Sequence, residues 1–133
     1  MAIQYSVTHR TNAMAQLITD IGASCTIKIF TGSIPTNCAT PDTGVELVTF
    51  TGGSPFGTAG GGVLTVNTIS NATAVGSGTA GYFRIYPTSA TTTNAVMQGT
   101  CGTSGTDMIL TTATINNGNT IQFTSMSITA FGV

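Results

Sequence analysis

Ile121-Gln122-Phe123-Thr124-Ser125-Met126-Ser127-Ile128-Thr129-Ala130 alternates apolar and polar side chains as a half-buried strand does, but its parity changes partway. Ile121 and Phe123 stand on odd positions, whereas Met126, Ile128 and Ala130 stand on even ones. A strand repeats every two residues, so one inward face cannot serve both halves. The chain must bulge or change sheet near Thr124-Ser125. Strands that bend from one sheet into another belong to sandwiches and barrels rather than to βαβ folds.

Working outward, period-two alternation recurs through most of the chain. Cys25, Ile27 and Ile29 share one face while Thr26, Lys28 and Phe30 share the other, which reads as a strand ended by Thr31-Gly32-Ser33. Further strands are expected at 45–51, 63–69, 71–75, 82–87, 95–99 and 108–115. Asn116-Asn117-Gly118-Asn119 then carries the signal of a type I′ hairpin before the last strand. The Gly-rich segment 52–62, with Pro55 and Phe56 inside it, reads as a long mobile connection. Helical spacing occurs once, at 6–22, where Val7, Thr11, Met14, Ile18 and Ile21 form a stripe between an N-cap Ser6 and a terminating Gly22. The expected fold is mainly β: a β-sandwich, for which a jelly roll is one form, with one short N-terminal α-helix. Residues 1–133 make a single domain whose arm and helix occupy about 1–22.

Composition narrows the function. Only 5% of residues are charged, three Lys+Arg against four Asp+Glu, where roughly 25% is usual. Arg10, Lys28 and Arg84 are too few and too scattered for a basic stripe, so no nucleic-acid partner is expected. Disorder needs low hydrophobicity with high charge, and this chain has neither. Mean hydropathy is +0.32, yet no run approaches the ~18 apolar residues of a spanning helix. The start Met1-Ala2-Ile3-Gln4-Tyr5-Ser6 lacks a basic region and an apolar core, so no secretory signal is expected. In place of charge the chain carries 28 Thr, 17 Gly, 10 Ser and 8 Asn, residues of strands and turns. With so little charge, copies scarcely repel one another, which suits a protein packed against other protein.

Chemistry finds little footing. Cys25, Cys38 and Cys101 form no C-x-x-C pair, and His9 is the one His, so neither a zinc site nor any other metal or cofactor is expected. Cys25 reads as a small core side chain, and synthesis in a reducing cytoplasm argues against disulfides. Gly76-Ser77-Gly78-Thr79-Ala80-Gly81 matches G-x-G-x-x-G, but a strand follows it where a dinucleotide site needs a helix. The acids Asp20, Asp42, Glu46 and Asp107 each have an ordinary place on a helix, strand or turn, and Asp42 with Glu46 falls short of a calcium ligand set. Asn71-Ala72-Thr73 is a sequon without a secretory route. No catalytic residues are assigned and no enzyme is expected.

One constellation rises above this background. Tyr82, Arg84 and Tyr86 project from one strand face, and Tyr and Arg are enriched at protein interfaces. They are the candidate protein-contact residues, together with Tyr5 of the N-terminal arm 2–6 and Phe56 of the Gly-rich segment. The alternative is a strand face whose Arg and Tyr contact one another.

The order of features carries a resemblance. A short helix precedes Cys25-Thr26-Ile27-Lys28-Ile29-Phe30-Thr31-Gly32 and a Pro-containing loop. Gly-Gly-Val-Leu-Thr-Val-Asn at 61–67, Gly-Tyr-Phe-Arg-Ile-Tyr at 81–86, Ala-Val-Met-Gln-Gly at 95–99, Gly-Thr-Ser-Gly-Thr-Asp at 102–107 and a Thr-rich hairpin follow. Together these resemble the small virion proteins of tailed bacteriophages that decorate or cement the capsid. The resemblance implies a β-sandwich subunit, made in the host cytoplasm and carried on the virion capsid surface. Such a subunit forms a dimer or trimer and bridges subunits of the major capsid protein. A tail, fibre or head-to-tail component is a second expectation, and a carbohydrate-binding module stacking sugars on Tyr82 and Tyr86 is a third.

Overall fold

The computed structural model describes residues 3–88 and 93–130, and Ala2 of the N-terminal arm lies outside them. Among the described residues one helix, α1 (Val7–Ile21), precedes twelve strands. Its ends stop where the sequence says: Ser6 holds an extended backbone and its Oγ accepts from His9 N–H at 3.1 Å, while Gly22, at φ 77°, donates to Ile18 O at 3.0 Å. Met14 and Ile21 are buried, but Val7 is 52% exposed, so the stripe docks from Thr11 onward and its first residue stays outside the contact.

Four long strands form the centre: β1 (Thr26–Thr31), β2 (Glu46–Thr51), β6 (Gly78–Tyr86) and β7 (Met97–Gly102). They are antiparallel neighbours in the order β7-β6-β1-β2. Their pairing places Val48, Ile29 and Phe83 in one row and Phe50, Ile27 and Ile85 in another, all buried. This face is the core. Between the two rows, on the opposite face, runs Thr49, Lys28, Arg84 and Gln98. The β1–β6 register shifts after Phe30, opposite Gly81, where a Cβ would strike the carbonyl of Gly32. Glycine is needed there for close approach.

Segment 52–62 is not simply a connection. It contains β3 (Gly57–Gly60), which pairs with β4 (Val63–Val66) across a Gly61-Gly62 turn whose φ values are 61° and 79°. Two central residues with positive φ in a two-residue loop are the geometry of a tight hairpin. α1 lies on this pair, with Thr11 Oγ1 accepting from Gly62 N–H at 2.9 Å.

The hairpin expected at Asn116–Asn119 is absent for the complementary reason. Asn119 N–H does donate to Asn116 O at 3.0 Å, closing a turn. Gly118 sits at φ 90°, but among the described non-glycine residues Ser24 alone has positive φ, so Asn117 does not supply the second left-handed residue of a type I′ turn. A turn of the type II kind splays its flanks. The flanks duly part: β9 (Thr114–Ile115) pairs with β6, and β10 (Thr120–Ile121) pairs with β5 (Ala72–Thr73). The stretch 108–115 accordingly divides into β8 (Met108–Leu110) and β9.

The parity change near Thr124-Ser125 marks a change of sheet. After β10, β11 (Phe123–Ser125) pairs with β8 at the edge of the seven-stranded sheet, and β12 (Ser127–Thr129) pairs with β4 in the three-stranded sheet. Three consecutive short strands thus join three sheets. The fold is mainly β, a curled multistranded sheet with one N-terminal helix.

Parallel strands usually need a crossover of a dozen or more residues, yet β7 and β8 pair in parallel across the connection 103–107. Asp107 closes it: its Oδ2 accepts from Thr100 N–H at 2.8 Å and from Thr100 Oγ1 at 2.9 Å, and its own N–H donates to Thr100 Oγ1 at 3.2 Å.

Candidate functional site

The strand alternation does place Tyr82, Arg84 and Tyr86 together on the face opposite the core, but all three are fully buried. The loop 32–44 covers them. Its ends are drawn together by Thr31 and Val45, with Thr31 N–H donating to Val45 O at 3.1 Å and Val45 N–H donating to Thr31 Oγ1 at 2.9 Å. Gly32 and Gly44, at φ 87° and 77°, turn the chain at both ends, and at Gly44 a Cβ would meet Thr31 O. Within the loop, Asn37 Oδ1 accepts from Ala39 N–H and Thr40 N–H, each at 3.0 Å. The result is a compact Ω-loop strapped over a sheet.

Arg84 holds the strap. Its Nη1 donates to Asp42 Oδ1 at 2.7 Å, its Nη2 to Asn37 O at 3.1 Å, and its Nε to Gln98 Oε1 at 3.0 Å. Gln98 Nε2 in turn donates to Pro35 O at 2.8 Å. Tyr86 donates its hydroxyl to the same Asp42 oxygen, and Tyr82 donates to Thr43 O at 2.6 Å while accepting from Thr43 N–H at 3.0 Å. Tyr82 also stacks on Phe30, ring centroids 5.1 Å apart. Burial works against the Arg84 charge, but the bonds to Tyr86 and Asp42 outweigh it and raise its pKa. Burial raises the Tyr86 hydroxyl as well, and donation to Asp42 adds to the effect. No buried side-chain polar atom among the described residues lacks a partner.

Beside this pair, Lys28 lies 3.6 Å from Glu46 Oε1 and 5.8 Å from the Tyr86 ring centroid, and Glu46 also accepts from Thr49. Asp42 and Glu46 therefore engage different cations. Among the described residues no group of three or more His, Cys, Asp or Glu is placed to hold a metal ion.

Tyr82, Arg84 and Tyr86 are committed to an intrachain network and offer no open face, which also removes Tyr82 and Tyr86 as stacking platforms for a sugar. Phe56 is buried too, because the hairpin β3–β4 folds segment 52–62 back onto the body. Tyr5 remains partly exposed, stacked on His9 at 5.1 Å between centroids. Among the described residues the arm carries the most exposed large apolar side chain, Ile3 at 74%, with Tyr5 two positions on and Val7 at the start of α1; Ile34, Val45 and Val75 are exposed elsewhere.

Asn37, Asp42, Thr43 and Gln98 are the members of the network that sequence reasoning missed. Pro35, Pro41 and the paired glycines mark a turn-rich loop, but nothing in their spacing says which face it covers. Cys25 and Cys101 are buried, and burial pushes their thiols up to about 11 and about 12. Shallow cavities of about 240, 260 and 360 Å³ are lined chiefly by Thr, Gly, Asn and apolar side chains, with Asp107 the one ionisable residue on any of these linings. No helix among the described residues is long and apolar enough to cross a membrane.

Fold and site define a mainly β domain whose paired charges are gathered on one sheet face, where its own Ω-loop closes over Arg84 and Asp42 and leaves Lys28 and Glu46 partly exposed. The chain matches no protein-family model, no curated protein and no solved structure.

Proposed function

We propose that the chain is a non-enzymatic structural protein of a tailed phage, which decorates and cements the capsid by bridging major capsid protein subunits. The observation that carries the reading is the nature of the outer surface. Four of the seven charged side chains pair with one another, Arg84 with Asp42 under the strap and Lys28 with Glu46 half-buried beside it, and a Thr- and Gly-rich exterior is left with exposed apolar side chains at Ile3 and Tyr5 of the arm and at Val7, Ile34, Val45 and Val75. Such a surface gains from contact with protein and is little opposed by desolvation of charge. The order of motifs supports the same reading. The finer architecture that goes with it is a β-sandwich, for which a jelly roll is one form, working as a dimer or trimer. Cementing acts by mass action: a subunit that binds the assembled shell and not its free components stabilises the shell.

Copy number in purified virions tests the proposal. A number matching the shell's repeating sites is expected. A handful of copies per particle points to the tail, fibre or head-to-tail alternative, and absence from particles ends both.

A further inference from the structure

Asn117-Gly118 is the single Asn-Gly pair in the chain, and it stands on an exposed turn. An Asn followed by Gly is open to cyclisation, because Gly has no Cβ to obstruct its backbone nitrogen from reaching the preceding side-chain amide. Here that nitrogen is committed elsewhere. Gly118 N–H donates to Ala74 O at 2.9 Å, Ala74 N–H donates to Asn119 O at 2.7 Å, and Asn117 N–H donates to Ser77 Oγ at 2.9 Å. The turn is thus bolted to residues 74–77, the link between β5 and β6.

We propose that Asn117 is a spontaneous deamidation site whose rate is set by the opening of this brace. In the opened turn Gly118 N attacks Asn117 Cγ. The N–Cγ bond forms, the Cγ–Nδ2 bond breaks, and Nδ2 leaves as ammonia with the proton that Gly118 N gives up. Water then opens the resulting succinimide at either carbonyl, giving aspartate or isoaspartate. No oxidant or reductant takes part. The product adds a negative charge to a chain of formal net charge -1. The isoaspartyl form also lengthens the backbone within the turn, so it cannot restore the register with Ala74. Modification therefore loosens the join between the β5–β10 pair and the main sheet.

The test follows Asn117 by peptide mass spectrometry in the native chain and in the same chain unfolded in urea, both in mildly alkaline buffer. The folded chain is expected to convert at least about tenfold more slowly, equivalent to an opening cost of about 1.4 kcal/mol. Gly118 amide exchange is expected to be slowed by a similar factor. Ser77→Ala leaves the Asn-Gly pair intact and should move both rates toward their unfolded values. Equal conversion in folded and unfolded chain overturns the proposal, as does a folded Ser77→Ala variant that changes neither rate. Should Ser77→Ala fail to fold, Gly118 exchange in the unaltered chain decides: protection supports the gate and unprotected exchange overturns it.

Discussion

Asp42→Ala is the sharpest perturbation of the strap. It leaves Arg84, a side chain with no solvent exposure, facing Gln98 and a carbonyl without its counter-charge, and it removes the acceptor of Tyr86. Breaking a buried pair by deleting one partner costs about 3–5 kcal/mol. Asp42 is 15% exposed, so water softens the loss and the lower end, about 3 kcal/mol, is expected. For a chain of 133 residues, an unfolding entropy of about 2.1 cal/mol/K per residue converts that loss to a fall in Tm of roughly 10 °C. Thermal unfolding at neutral pH by calorimetry reads it directly. The double variant Asp42→Ala with Arg84→Met should be more stable than Asp42→Ala alone by about 1 kcal/mol or more, because the stranded charge is gone. A Tm fall under about 3 °C, or a double variant no better than the single, would refute the assignment of the strap's stability to this pair.

Cys25 and Cys101 hold their protons to higher pH folded than unfolded, from an ordinary value of 9.0 up to about 11 and about 12. Above about pH 9 the unfolded chain releases protons that the folded chain keeps, so stability should fall with rising pH until the folded thiols ionise, by up to about 1.4 kcal/mol per pH unit for each thiol. Urea midpoints across that range check the sign; the fall should be shallower in Cys25→Ala with Cys101→Ala, the slope that remains above about pH 10 belonging to the raised Tyr86 hydroxyl. Gly81→Ala should cost about 2 kcal/mol or more through its clash with Gly32 O, whereas Gly60→Ala, with open space around the added carbon, should change stability by less than about 1 kcal/mol; chemical denaturation compares them. Ser6→Ala removes the N-cap acceptor of His9 N–H and should cost about 1 kcal/mol, seen as loss of helical circular dichroism at lower temperature.

What could be read without the structure was local. Ser6 and Gly22 bound the helix because capping involves neighbours three or four residues apart, and the change of parity between Phe123 and Met126 registers a change of sheet because side-chain direction is a local property. Glycine turns were harder. Gly61-Gly62 makes a tight hairpin inside a segment whose glycine content suggested mobility, while Asn117-Gly118 makes a turn whose flanks find partners elsewhere. In both cases the deciding factor is which strand lies alongside, and that is set by distant residues. The contact constellation failed for the same reason. Tyr82, Arg84 and Tyr86 do share a face, but Asp42, Asn37 and Thr43, about forty positions away, cover it.

The internal pairing of Lys28 with Glu46 and Arg84 with Asp42 carries a kinetic consequence. Arg10, Asp20 and Asp107 are the remaining side-chain charges, too sparse to create a directed long-range field. Encounter with any partner then proceeds by unassisted diffusion, near the ~10⁵–10⁶ M⁻¹s⁻¹ of uncharged docking. Its rate should be almost indifferent to ionic strength, so the chain can find its place equally well in dilute and in saline surroundings.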